Sequence, residues 1–79
     1  MQTPLRKIRQ LRGLSLKNVA RAVSSDTGNL SRIETGEQIA KRDLAARLAA
    51  YFSPDINELH VIYPERYQDW IAVPTVAEK

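Results

Sequence analysis

No cysteine occurs among the 79 residues, which excludes disulfide staples, thiol chemistry and cysteine-ligated metal. A single histidine, His60, is too few for a zinc site of the usual nitrogen and sulfur type, and it is assigned no chemistry. No run approaches the roughly 20 apolar residues of a membrane span, and Met1 to Gln10 lacks the apolar centre of a signal peptide. A soluble, cytoplasmic chain without a membrane partner is the expectation. No segment alternates with period two for long enough to make a strand, and neither a repeat nor a low-complexity tract is present. Nowhere do a nucleophile, a base and an orienting group fall together, so no enzyme, no metal and no cofactor is expected. The length leaves room for one domain, and an apolar content of 43% suffices for a small core.

What is present is charge, unevenly spread. From Met1 to Phe52 there are ten basic and four acidic residues, a balance of +6, and from Ser53 to Lys79 two basic and five acidic, a balance of −3. A basic body with an acidic end suits a molecule that turns one face to a polyanion. A solvated helical surface would carry the same pattern.

Apolar spacing then predicts helices nearly throughout. Thr3 before Pro4 is a cap and a first-turn proline; Leu5, Ile8 and Leu11 recur on one side, and Gly13 closes the helix. Ser15 caps a second helix whose Leu16, Val19, Ala20 and Val23 form an amphipathic stripe. Ser24, Ser25 and Asp26 are turn and cap types, and a short third helix with Leu30 and Ile33 inward ends at Gly36. Leu44, Leu48, Tyr51 and Phe52, widened by Ala45 and Ala49, carry a fourth. Ser53 or Asn57 caps a fifth with Ile56, Leu59 and Ile62 inward and Pro64 ending it, and Val73 to Lys79 reads as a loose tail. The expectation is a compact all-α, five-helix domain over residues 1–63, with a C-terminal extension over 64–79.

Helices two and three are joined by so short a turn that they must cross steeply, which is helix-turn-helix geometry. On a wheel, Leu30 and Ile33 define the buried side of the third helix. Gly28, Ser31, Arg32 and Thr35 lie opposite, flanked by Thr27 and Asn29. That face is small, polar and singly basic, so a DNA major groove can accept it.

Leu11-Arg12-Gly13-Leu14-Ser15, Val19-Ala20, Leu30-Ser31-Arg32-Ile33-Glu34-Thr35-Gly36 and then Leu44, Leu48 and Ala49, in that order and spacing, resemble the lambda repressor and Cro type of helix-turn-helix protein, the XRE family. The resemblance covers Leu5 to about Leu59. Two positions depart from the pattern. Ser24 stands where glycine is usual, so a left-handed backbone there carries about 1 kcal/mol of strain. Leu16 stands where a phosphate-bracing glutamine is common, which passes that contact to Ser15, Lys17 or backbone amides.

The resemblance implies roles for the outer face. Arg32 is the leading base-reading residue, because its guanidinium can meet guanine O6 and N7 with two parallel hydrogen bonds; the alternative is an exposed arginine paired with a nearby acid. Asn29 bonds either an adenine edge or a phosphate. Gly28 either admits the helix close to the groove floor or is simply tolerated at about 1 kcal/mol. Thr27, in the first turn, belongs with them. Ser31 and Thr35 are expected on phosphate, as are Ser15, Lys17, Arg21, Lys41 and Arg42. An arginine of the first helix often pairs with a glutamate of the third in this family, which implies a partly buried Arg9–Glu34 ion pair. Tyr63, Tyr67, Trp70 and Ile71 cluster beyond the last helix, either as a dimer interface or folded back over their own core.

The function implied is sequence-specific regulation, most simply repression by a homodimer of a phage or prophage type on a partly palindromic double-stranded DNA operator. The competing class is an antitoxin that neutralises a toxin and represses its own operon; a toxin or an antirepressor is the protein partner considered.

Overall fold

The computed structural model describes residues 2–71, and the predicted tail from Val73 lies outside them. Among these residues the regular structure is entirely helical: α1 (Pro4–Leu11), α2 (Leu16–Ala22), α3 (Thr27–Thr35), α4 (Arg42–Tyr51), α5 (Glu58–Ile62) and a 3-10 turn at Pro64–Tyr67.

Local chemistry sets where each helix begins. Thr3, Ser15 and Asp26 are extended and accept a backbone N–H three residues on, from Arg6, Asn18 and Asn29. Of the two candidates for α5, Asn57 is the cap. Its side chain accepts from the Leu59 and His60 amides while its own N–H donates to His60 Nδ1 at 3.0 Å, a reciprocal capping box. Ser53 instead precedes Pro54 across a cis peptide. α4 alone among the five opens without a side-chain cap, at Lys41.

Helix ends obey one rule three times. After α1, Gly13 is left-handed (φ 68°), with its N–H on Gln10 O at 3.0 Å and Leu14 N–H on Arg9 O at 3.1 Å. Gly36 (φ 84°) closes α3 in the same way, with Glu37 N–H on Arg32 O at 2.9 Å. Ser24 (φ 59°) does so after α2, as Ser25 N–H reaches Ala20 O at 2.8 Å. The serine carries the strain that glycine avoids, and the bond to Ala20 holds it there.

Leu5, Ile8, Val19, Ala20, Val23, Leu30, Ile33, Leu44, Ala45, Leu48, Phe52, Ile56 and Val61 meet in one core, with Ala40 at its edge and Leu14, Leu16, Ile62 and Trp70 packed against it. Three residues expected inside are not. Leu11 is 44% exposed: each three-residue step falls about 60° short of a full turn, so by Leu11 the stripe has left the face of Leu5. Tyr51 is 38% exposed because the buried side of α4 centres on Ala45 and Leu48, which leaves it at the margin, edge-on to Phe52. Leu59 is 49% exposed, and Val61 takes the inward place. Ile56 precedes the Asn57 cap, so helical spacing counted from Ile56 does not apply.

Two long-range clamps hold the ends of the core together. Thr3 Oγ1, buried, donates to Glu34 O at 2.8 Å and so ties the start of α1 to the end of α3. Arg12 meets Asp55 at 2.6 Å and lies over the Phe52 ring, fastening α1 to the turn after α4.

Candidate nucleic-acid interface

α3 rests on the core through Leu30 and Ile33, and the next residue, Glu34, is buried as well. A buried carboxylate demands compensation. Arg9 supplies it with a two-pronged grip, Nε to Oε2 at 2.6 Å and Nη2 to Oε1 at 3.1 Å. Its remaining prong, Nη1, donates to Leu14 O at 2.7 Å. All three guanidinium nitrogens are thus committed inside the protein, and with Thr3 on Glu34 O they fix the pose of α3 against α1. The pair is structural: Arg9 is 12% and Glu34 3% exposed at the side chain, leaving little for a ligand.

The opposite side of α3 is built differently. Thr27, Gly28 and Arg32 are exposed, and Asn29, Ser31 and Thr35 are half-buried. No large apolar side chain stands on this face. Arg32 Nε donates to Gln38 Oε1 at 3.0 Å, and among the described residues no acceptor is placed on its Nη1 or Nη2. A Cβ added at Gly28 would lie 3.5 Å from Arg32 Nη1 and 3.4 Å from Asp26 Oδ1, so the arginine folds along the helix over the glycine. Asn29 Nδ2 donates to Ser25 Oγ at 3.2 Å, and its Oδ1 accepts from Gln38 Nε2. Thr35 Oγ1 is turned to Arg32 O and Glu37, away from a ligand.

Exposed basic residues lie on the neighbouring helices. Lys17 and Arg21 are exposed on α2, and Lys41 and Arg42 are exposed at the start of α4. Ser15 is engaged as the α2 cap. A groove of about 440 Å³ runs between the α2–α3 turn and α4, lined by Ser25, Asn29, Gln38, Lys41, Asp43 and Arg47 among others. Arg47 Nε donates to Val23 O at 2.8 Å, which pins α4 to the turn and brings a further positive charge to the groove.

The family model for the helix-turn-helix domain matches residues 4–59, from the start of α1 into α5. The chain belongs to that family. No curated protein and no solved structure matches it. Membership makes the chain a DNA-binding regulator. No helix among the described residues is long and apolar enough to cross a membrane.

Sequence reasoning passed over Gln38 and Arg47. Gln38 lies two residues beyond Gly36, where a helical wheel no longer applies, and Arg47 sits in the middle of a helix whose polar side was considered only at its start. Only the adjacency of Gln38 to the Gly36 turn hinted at its position.

The aromatic cluster divides. Trp70 packs against the core, and His60 lies 4.4 Å from the Tyr67 ring and 5.7 Å from Trp70. Lys7 Nζ straps this segment to α1 through Gln68 O at 3.2 Å and Trp70 O at 2.7 Å. Tyr63, 39% exposed beneath Arg66, and Ile71, 75% exposed, remain on the surface. Burial holds the His60 imidazole below its ordinary value of 6.5.

Proposed function

We propose that this helix-turn-helix protein is a transcriptional repressor of the lambda repressor and Cro kind, of phage or prophage type, acting in the cytoplasm without catalysis. It binds a partly palindromic operator as a homodimer, with half-sites about 34 Å apart. One observation carries the reading: the outer face of α3 is free of bulk and offers one arginine whose Nη1 and Nη2 are unengaged. Two parallel N–H donors match guanine O6 and N7 in the major groove. Lys17 and Arg21, exposed on α2, and Lys41 and Arg42, exposed at the start of α4, supply phosphate contacts that position the subunit without reading sequence. The exposed Tyr63 and Ile71 are the dimer contacts; Tyr67 and Trp70 brace them from within.

The acidic balance from Ser53 onward favours one competing reading, an antitoxin whose acidic half covers a basic toxin. The separating experiment is a titration at two salt concentrations against DNA from upstream of the chain's own gene, with a scrambled duplex as competitor. A repressor binds its operator at least about a thousandfold more tightly than the scrambled duplex. Equal, salt-sensitive binding to both duplexes removes the operator reading, and co-purification with a small basic protein moves it to the antitoxin.

A further inference from the structure

Arg32 is an exposed side chain with long rotatable stems, yet its position is heavily determined by the loop that follows its own helix. The Arg32 carbonyl accepts from the Gly36 N–H, from Glu37 N–H at 2.9 Å, from Gln38 N–H at 3.2 Å and from Thr35 Oγ1 at 3.2 Å. The backbone of Gln38 is therefore anchored to the residue that its side chain also holds. From there the Gln38 carboxamide spans two partners, accepting from Arg32 Nε at 3.0 Å and donating to Asn29 Oδ1. Asn29 continues the chain by donating to Ser25 Oγ at 3.2 Å.

The chain has one direction, and the arginine sets it. A guanidinium only donates, so Gln38 must turn its oxygen to Arg32 and its nitrogen to Asn29. That leaves Asn29 its nitrogen for Ser25. Both ends of the Asn29 amide are then in use. One N–H and one oxygen lone pair of that amide remain, and the bonds to Ser25 and Gln38 fix the directions in which they point. Arg32 gives up only Nε and keeps the other two nitrogens.

We propose that Gln38 is the positioning residue of the recognition surface: it orders Arg32 to present its Nη pair to a guanine, with Asn29 bracing the far end of the Gln38 carboxamide. The proposal rests on the DNA-reading role of α3 given above and narrows it to one specified base. Its physical content is preorganisation. An arginine already ordered in the free protein loses less freedom on binding, and a wrong base gains nothing from its fixed geometry.

The test uses the full chain and a duplex selected from a random pool, with four versions differing at the base pair most sensitive to Arg32→Ala. Gln38→Met keeps the length of the side chain and removes both ends of its amide; Gln38→Ala serves as a second variant, and circular dichroism checks that each folds. Preference for guanine is expected to fall about tenfold in Gln38→Met, the scale of one hydrogen bond to a charged group. The salt dependence should not change, and the same substitution in an Arg32→Ala background should have no further effect. Full guanine preference in both folded Gln38 variants overturns the proposal alone. A Gln38 effect that persists without Arg32 does so too, because Gln38 then touches DNA itself. If the wild-type chain enriches no sequence from the pool, the reading beneath it falls as well.

Discussion

Two arginines flank α3, and they are used in opposite ways. On the inner side, Arg9 spends Nε, Nη1 and Nη2 on Glu34 and Leu14, within 3.1 Å in each case. On the outer side, Arg32 spends Nε on Gln38 and keeps the other two nitrogens. The same fork of donors therefore locks a helix in place when all three nitrogens are engaged and can meet a ligand when two are left. Burial tracks the difference, since Arg9 is nearly enclosed with its carboxylate while Arg32 stands exposed.

Removing one member of the inner pair should have the largest effect. Glu34→Ala strands a partly buried guanidinium and is expected to cost about 3–5 kcal/mol in urea unfolding. Arg32→Ala should stay within about 0.5 kcal/mol of wild type in the same assay. A comparable loss from both would erase the contrast. On DNA the order reverses: Arg32→Ala should lose about 1–3 kcal/mol of binding to the preferred duplex, with relaxed discrimination at one base pair. Lys41→Ala and Arg42→Ala are expected to weaken preferred and scrambled duplexes alike and to lower the salt slope by about one unit each, read from titrations across a salt series.

Gly28→Ala sharpens the outer side further. An added methyl meets only the far end of Arg32 and a carboxylate oxygen at ordinary contact distance, so the helix should gain up to about 1 kcal/mol of stability. Discrimination should fall if that methyl displaces the arginine, which the base-variant titration measures. The smallest effect belongs to His60. Its folded imidazole titrates below 6.5, so the unfolded chain binds the proton more readily. Stability should be full above about pH 6.5 and decline as pH falls from there through the lower folded value. Urea midpoints at pH 7.5 and 5.5 should differ in that sense, and His60→Gln should reduce the difference.

Much of the fold was legible because its signals are local. Thr3, Ser15, Asp26 and Gly36 announce helix ends by side-chain chemistry or by a left-handed backbone, and neither depends on distant residues. The apolar stripes failed only where a helix was short or ending, at Leu11, Tyr51 and Leu59. Much of the candidate site depends on separations that periodicity does not encode. Arg9 and Glu34 lie 25 residues apart, and Lys7 reaches Trp70 across 63. The first pair entered through a family resemblance and not through spacing. Gln38 was hidden for another reason: its influence comes from a loop whose path is fixed by Gly36 and by the Arg32 carbonyl.

The most direct test is to titrate wild type and Arg32→Ala against a selected duplex and its variants at every position of one half-site. Wild type should favour guanine at one position by roughly ten- to a hundredfold, and Arg32→Ala should lose that preference there while keeping the others. Uniform weakening of every duplex by Arg32→Ala would make the arginine a phosphate contact and would contradict the contrast drawn between the two sides of α3.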